Sequence, residues 1–264
     1  MTGKDVSGVA AKAAELLRLH REPELLRVVN VWDVISAKVV AGVEGTTALA
    51  TASHSIAASR GYEDGENIPV GEMIDEVARI VAATELPVTA DLEGGYGNAA
   101  ETVRRAIGVG AVGANIEDQL KPLAEAAAQV EAIMKAADAE GVPDFVLNAR
   151  TDAFLKAGDR DPADVLADAV ERGKAFLDAG APVVFVPGVL SEGQISTLSE
   201  AFGPQRLTVI GLPGLPSHER LAELGVARIS YGPLSQRVAL TALAELTESV
   251  REGGGIPAGT RALN

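Results

Sequence analysis

The acids of this chain fall in short runs. Asp91 and Glu93 lie in "TADLEGGYGN", Glu117 and Asp118 in "GANIEDQ", Asp152 in "NARTDAF", Asp64 in "GYEDG" and Asp33 in "NVWD". All but Asp64, which lies in a loop, stand where a run of strand-forming residues breaks off. Side chains two apart on a strand share a face, so Asp91 and Glu93 are expected to point one way while Ala90 and Leu92 point the other. Two inward acids repel and are desolvated, which drives them to share a proton or hold a cation. With no Cys and only three His (His20, His54, His218), the available ligands are oxygens, which suit a hard ion, Mg²⁺ or Mn²⁺. Taken singly, each acid reads equally well as a helix N-cap or a surface charge. Their recurrence at successive strand ends is what points to a metal site.

Arg150 puts a permanent cation into the otherwise apolar "VLNARTDAF". Such a charge needs partners, and Glu117 or Glu93 can supply them. It reads as a structural ion pair, as a group stabilising negative charge on a substrate, or as both. "ATASHS", residues 50–55, ends a strand with small hydroxyl residues and backbone N–H groups, a natural seat for a carboxylate and also a common turn.

The elements that must position these groups recur along the chain. Strand-like segments fall at 26–33, 45–53, 86–95, 113–119, 144–152, 181–188, 206–212 and 226–232, with helical periodicity between them at 70–84, 100–110, 123–141 and 161–180. Asp161-Pro162 is predicted to be an N-cap followed by proline at N1, and Gly110, Gly141 and Gly180 to close helices. Eight alternating strands predict an α/β fold, a (β/α)8 TIM-type barrel, with the reactive groups at the C-terminal strand ends. The rival, an open doubly wound sheet, would want a G-x-G-x-x-G turn after the first strand, and there is none. Residues 1–250 are predicted to form one barrel domain, its last helix at about 235–250, followed by a Gly-rich tail at 251–264.

Composition narrows the partners. Hydrophobic residues make up 47% and aromatics 3%, so Ala, Val, Leu and Ile must fill the core. A net charge of −14 argues against nucleic acid or an anionic membrane surface. No apolar run approaches a membrane span or a signal peptide. A cytoplasmic chain is expected.

"ATASHSIAASRGYEDG", "TADLEGGYGN", "GANIEDQ" and "NARTDAF", in this order and spacing, resemble the isocitrate lyase/phosphoenolpyruvate mutase superfamily over residues 26–232. The resemblance implies a (β/α)8 barrel with a swapped eighth helix, a homodimer or homotetramer, and Mg²⁺ held by acids at strand ends. Asp91 matches the acid that meets the metal most directly. Asp64, Glu93 and Glu117 match acids acting largely through water, Glu93 standing where many members have Asp. Arg150 matches the active-site arginine; Ala52, Ser53 and His54 match the cradle of the substrate carboxylate. The chain departs from the family after the fourth strand. The K-[KR]-C-G-H loop of the isocitrate and methylisocitrate lyases is absent from "EDQLKPLAEAAAQ", as is the longer Lys/Asn gating loop of the phosphonate enzymes, and Lys121 is the only charged candidate nearby to stand in for them, though it reads equally as a solvated helix-start residue. What remains suits cleavage of a C–C bond in a small anionic 2-oxo or 2-hydroxy acid, oxaloacetate-like, through an enolate, with a metal-bound water, Tyr96 or His54 giving the proton. P–C chemistry on a phosphonopyruvate is the alternative, and a barrel that binds a metabolite without turnover is another.

Overall fold

The computed structural model describes residues 7–263. Its strands are β1 (Leu26–Val28), β2 (Asn30–Val31), β3 (Leu49–Thr51), β4 (Val88–Asp91), β5 (Gly113–Glu117), β6 (Val146–Arg150), β7 (Val183–Phe185), β8 (Leu207–Ile210) and β9 (Val226–Ser230). Its helices are α1 (Ser7–Arg21), α2 (Val34–Ala41), α3 (Ser53–Ser59), α4 (Val70–Ala82), α5 (Ala99–Gly108), α6 (Leu123–Ala139), α7 (Pro162–Asp178), α8 (Glu192–Phe202), α9 (His218–Glu223) and α10 (Leu234–Arg251).

All strands are parallel, in the order β1-β9-β8-β7-β6-β5-β4-β3-β2. The strand predicted at 26–33 is two pieces separated by Val29. β1 pairs with β9 through Leu26↔Arg228, and β2 pairs with β3 through Asn30↔Ala50. The two ends of the sheet are therefore consecutive in sequence, and the ring closes as the (β/α)8 barrel.

The helices follow from their amphipathic spacing. In α4 the buried residues Met73, Ile74, Val77 and Ile80 form one stripe against the barrel. Asp161 accepts from the Ala163 N–H at 2.8 Å, with Pro162 as the first helical residue, as predicted. Gly110, Gly141 and Gly180 follow their helices with φ of 97°, 81° and 102°.

Most strands are a few residues shorter than the sequence reading has them, and three of the boundary shifts bear on the site. The second strand begins at Leu49 and gives way to α3 at Ser53, so the hydroxyl run 51–55 straddles a strand end and a helix start. The third strand stops at Asp91, because Glu93, Gly95, Tyr96 and Gly97 all take positive φ. Asp33 caps α2, accepting from the Ser36 N–H at 2.7 Å in a capping box, and belongs to the helix start. Residues 252–263 carry no regular element; residues 1–6 and 264 of the predicted domain and tail lie outside the described residues. No described helix is long and apolar enough to cross a membrane.

Gly113 opens β5 where neighbouring strands leave no room for a side chain. A Cβ there would sit 2.7 Å from the Val146 carbonyl oxygen of β6 and 3.0 Å from Thr89 Oγ1. A backbone oxygen in the ladder cannot yield without breaking the Gly113↔Val146 pairing. Gly113→Ala is therefore expected to lower stability by about 1–3 kcal/mol, despite the smaller unfolded-state entropy of Ala, as a lowered midpoint in denaturant unfolding.

Candidate functional site

The C-terminal strand ends converge on a cavity of about 250 Å³. Ser53, His54, Asp64, Asp91 and Arg150 line it, as do Asn30, Asn115, Phe185, Ser230 and Arg237. Hollows of about 990 and 610 Å³ run along α10 outside the barrel. Size does not choose among them. The smallest of the three holds the strand-end charges.

Asp91 is the best-anchored acid. One carboxylate oxygen, Oδ2, accepts from both the Ser53 N–H (2.9 Å) and the Ser53 hydroxyl (2.7 Å), and the Asp91 N–H donates to Thr51 Oγ1 at 2.8 Å. The other oxygen is left for a ligand. Residues 52–54, the expected carboxylate cradle, do not share one setting: Ser53 gives its N–H and hydroxyl to Asp91. Ala52 is buried and does not line the cavity; His54 does, and its buried Nδ1 has no hydrogen-bond partner among the described residues.

Glu93 does not continue the strand face. With φ of 53° it leaves β4 behind, is buried, and accepts from the Tyr96 hydroxyl at 2.9 Å and from the Glu66 N–H. Burial, together with the charges of Asp91 and Asp64, pushes its pKa up despite those hydrogen bonds. Tyr96 is thereby committed to Glu93. Burial and that carboxylate raise the phenol further above its ordinary range, which makes it a poor acid, and it is not among the cavity walls.

Arg150 serves two acids. Its Nη1 meets Glu117 at 2.8 Å; its Nε and Nη2 both meet Asp152 Oδ1 at 2.8 Å, while Lys156 reaches Asp152 Oδ2 at 2.8 Å. Burial works against the arginine's charge, and Glu117, Asp152 and Asp91 outweigh it. Glu117 has the worse position. Burial, with Asp152 and Asp91 near, lifts its pKa to about 7 even against Arg150, because one shared guanidinium cannot offset desolvation and two like charges.

Asp118 and Asp152 are structural. Asp118 accepts from the Leu120 and Asp152 N–H groups, both at 3.0 Å, and pairs with Arg172 at 3.2 Å. The loop from β5 to α6 is only residues 118–122, and Lys121 donates to Gln129 at 3.1 Å, away from the cavity.

Among the described residues no three acids or histidines already converge as a ligand cage. The donor set nonetheless fits a hard cation: Asp91 and Asp64 on the wall, Glu93 and Glu117 behind, both held toward the neutral form for want of positive charge. Carboxylate oxygens without thiolate or imidazole partners are the donors such an ion takes.

Sequence reasoning missed Asn30, Asn115, Glu66 and Arg237. Asn30 is legible in retrospect, as a polar residue inside the apolar "RVVNVW". It donates to the Thr51 carbonyl and accepts from the Tyr231 and Gly232 N–H groups, each at 2.8 Å, which ties the first strand to the last. Arg237 carried no signal, because only the closure of the ring brings the start of α10 to the cavity.

Comparison with known proteins gives one family. The phosphoenolpyruvate phosphomutase family matches residues 16–251. A solved structure of a candidate phosphonomutase from Burkholderia cenocepacia J2315 is similar with a TM-score of 0.85 and 42% identity, covering 93% of this chain and 100% of that one. Oxaloacetate acetylhydrolase in complex with its product oxalate has a TM-score of 0.83 and 26% identity, over 96% of this chain and 91% of that one. The oxaloacetate decarboxylase of Rhodopseudomonas palustris (strain BisA53) is 30% identical over 241 residues, 86% of this chain and 80% of its own.

The position of Glu117 yields a direct measurement. With a pKa of about 7 it is half protonated at neutral pH, and a cation favours its charged form, so Mg²⁺ binding should expel protons. Calorimetry at pH 7 in buffers of different ionisation enthalpy is expected to show net proton release. The release should shrink above pH 8, and affinity should weaken as pH falls below 7. A buffer-independent heat would mean that Glu117 does not take part.

Proposed function

The chain belongs to the phosphoenolpyruvate phosphomutase family, and we propose that it is a Mg²⁺-dependent lyase. The reaction is cleavage of a C–C bond in a small 2-oxo or 2-hydroxy dicarboxylate, oxaloacetate-like, through an enolate. The observation that carries this reading is the charge arrangement of the cavity, where acids short of positive charge stand beside Arg150 at the mouth of a closed barrel.

Asp91 would hold the ion directly, with Asp64, Glu93 and Glu117 supporting it through water, and Mn²⁺ would fit the same oxygens. When bound, such an ion supplies Lewis-acid polarisation of a 2-oxo acid's carboxylate and keto oxygens. Ser53 fixes the rotamer of Asp91 through two hydrogen bonds, so the ligand oxygen is oriented before anything binds. Arg150, itself clamped by Glu117 and Asp152, presents a planar cation to negative charge that develops on the substrate. His54 is the better-placed proton donor, because it lines the cavity, whereas the Tyr96 hydroxyl is engaged by Glu93 and Tyr96 is not among the cavity walls. Two relatives whose names specify oxaloacetate chemistry support the substrate class.

P–C chemistry is the second reading, favoured by the 42% identity to a candidate phosphonomutase. Against it, the five residues 118–122 leave no room for a long gating loop, and Lys121 faces Gln129.

We also propose a homo-oligomer, dimer or tetramer, in which α10 crosses to a second copy. Gln236 is the one buried residue of this helix, whereas Val238, Leu240 and Leu243 are 71%, 55% and 57% exposed. Beside the start of α10 lies an apolar groove bordered by Trp32, Ile35 and Val39. An unpartnered apolar stripe next to an apolar groove fits mutual exchange.

Pyruvate release from oxaloacetate, corrected for spontaneous decarboxylation, is expected with Mg²⁺ and not with chelator. Asp91→Ala should reduce it by about 10³-fold or more, and Arg150→Lys should cut turnover sharply because a point charge does not reproduce the fork. Turnover that survives chelation, or an Asp91→Ala variant with the wild-type rate, would refute the metal assignment. If Mg²⁺ binds but no 2-oxo acid is consumed, the weight moves to phosphonopyruvate or to binding alone.

Light scattering should give at least twice the 27.1 kDa chain mass, and Leu243→Glu should shift it to the monomer. A monomeric wild type removes the exchange.

A further inference from the structure

Arg228 is the largest side chain that the protein buries completely, at 0% exposure. Its Nε, Nη1 and Nη2 all lack a hydrogen-bond partner among the described residues. An unpaired buried cation is costly, and an apolar side chain of similar volume would serve stability as well or better. Its place in the barrel suggests what it serves instead.

Arg228 lies on β9 two residues before Ser230, which lines the cavity. Residues two apart share a face, so Arg228 springs from the layer beneath the cavity floor. It is registered with Thr208 on β8. The Thr208 hydroxyl donates to Asn148 Oδ1 at 2.6 Å, and Asn148 Nδ2 donates to Asn115 Oδ1 at 2.7 Å. Asn115 lines the cavity and is registered with Asp91. The floor is thus neutral amide and hydroxyl, and no carboxylate bonds the guanidinium. Asp91 is nevertheless the negative charge that favours its cationic form against burial, which brings its pKa down to about 10 and leaves it charged at neutral pH. Below lies His20, whose Nδ1–H donates to the Leu16 carbonyl at 2.8 Å. Burial and the Arg228 charge hold His20 neutral, with a pKa of about 3, so no counter-charge comes from that side.

We infer that Arg228 is a positioning residue whose fixed charge, from beneath the floor, weakens binding of the divalent cation at Asp91 and strengthens binding of the anionic ligand. The inference rests on the cation site proposed above. It makes the cavity a balanced trap: the acids alone would hold the ion tightly and repel a dicarboxylate. A unit charge at roughly 10 Å in an effective dielectric of about 20 alters the affinity for a monovalent ligand on the order of tenfold, and for a divalent cation or a dicarboxylate on the order of a hundredfold.

The test is a pair of titrations on the full chain. In Arg228→Met, Mg²⁺ affinity by calorimetry should rise about tenfold or more, while affinity for oxalate at saturating Mg²⁺ should fall by a comparable factor. The thermal midpoint of the metal-free protein should not fall. Arg228→Lys, which keeps the charge, should bring both affinities back to within about threefold of wild type. If both affinities weaken together, if neither moves, or if Lys fails to restore them, the inference is overturned. Should Arg228→Met fail to fold, Arg228→Gln is the neutral variant for the same comparison. A wild type that binds no Mg²⁺ overturns the cation reading itself. Oxalate binding to the metal-free protein then decides the anion half, its weakening in Arg228→Met supporting that half and an unchanged affinity overturning it.

Discussion

The mouth of the barrel is governed by a shortage of positive charge where water is scarce. Closing the ring brings Asp91, Glu93, Glu117 and Asp152 to one rim, and the sheet and its helices exclude the solvent that would screen them. Each local device there answers that shortage. Arg150 is divided between two acids, Lys156 reaches in from the following turn, and the Ser53 N–H and hydroxyl are turned onto Asp91. Glu117 remains short of compensation and is lifted into the neutral range. A site in this condition is poised to take up a cation, because a cation relieves several repulsions at once.

Much of this was legible in the chain. Strand count, helix periodicity and the Asp161-Pro162 start follow from local physics, so they survived folding almost unchanged. The acids at strand ends were legible for the same reason: a barrel collects such positions whatever the loops do. The relation between Asp91 and Glu93 was not. Alternation applies only while the backbone stays extended, and the positive φ of Glu93 ended it, sending that carboxylate to Tyr96 and Glu66. Nor could the sequence show that Ser53 would spend its donors on Asp91, since the two are brought together only by the β3·β4 pairing. Arg237 and Asn30 lie at opposite ends of the chain and meet at the cavity through closure alone.

Arg228 stands apart from this logic of compensation. The polar residues nearest it in register are satisfied by one another, as in the Thr208, Asn148 and Asn115 relay. An arginine left unpaired below that relay is an inconsistency between stability and sequence, of the kind tolerated at functional sites. Among the described residues no carboxylate bonds the guanidinium, so its charge is not cancelled by a closed ion pair.

The junction between the cavity and α10 has a mechanical side. Ser235 donates to the Asn30 carbonyl at 2.7 Å, and Gln236 donates to the Ser55 carbonyl at 3.1 Å and to Ser59 Oγ at 2.9 Å. Just before them, Gly232, Pro233 and Leu234 form part of the cavity wall. Beyond this anchored first turn, the rest of the 18-residue helix extends about 20 Å at 1.5 Å per residue with little of the barrel to rest on. It is a lever whose fulcrum is the wall of the cavity. Any torque on its far end is delivered to Asn30 and α3, and through them to the turn that carries Ser53 and His54.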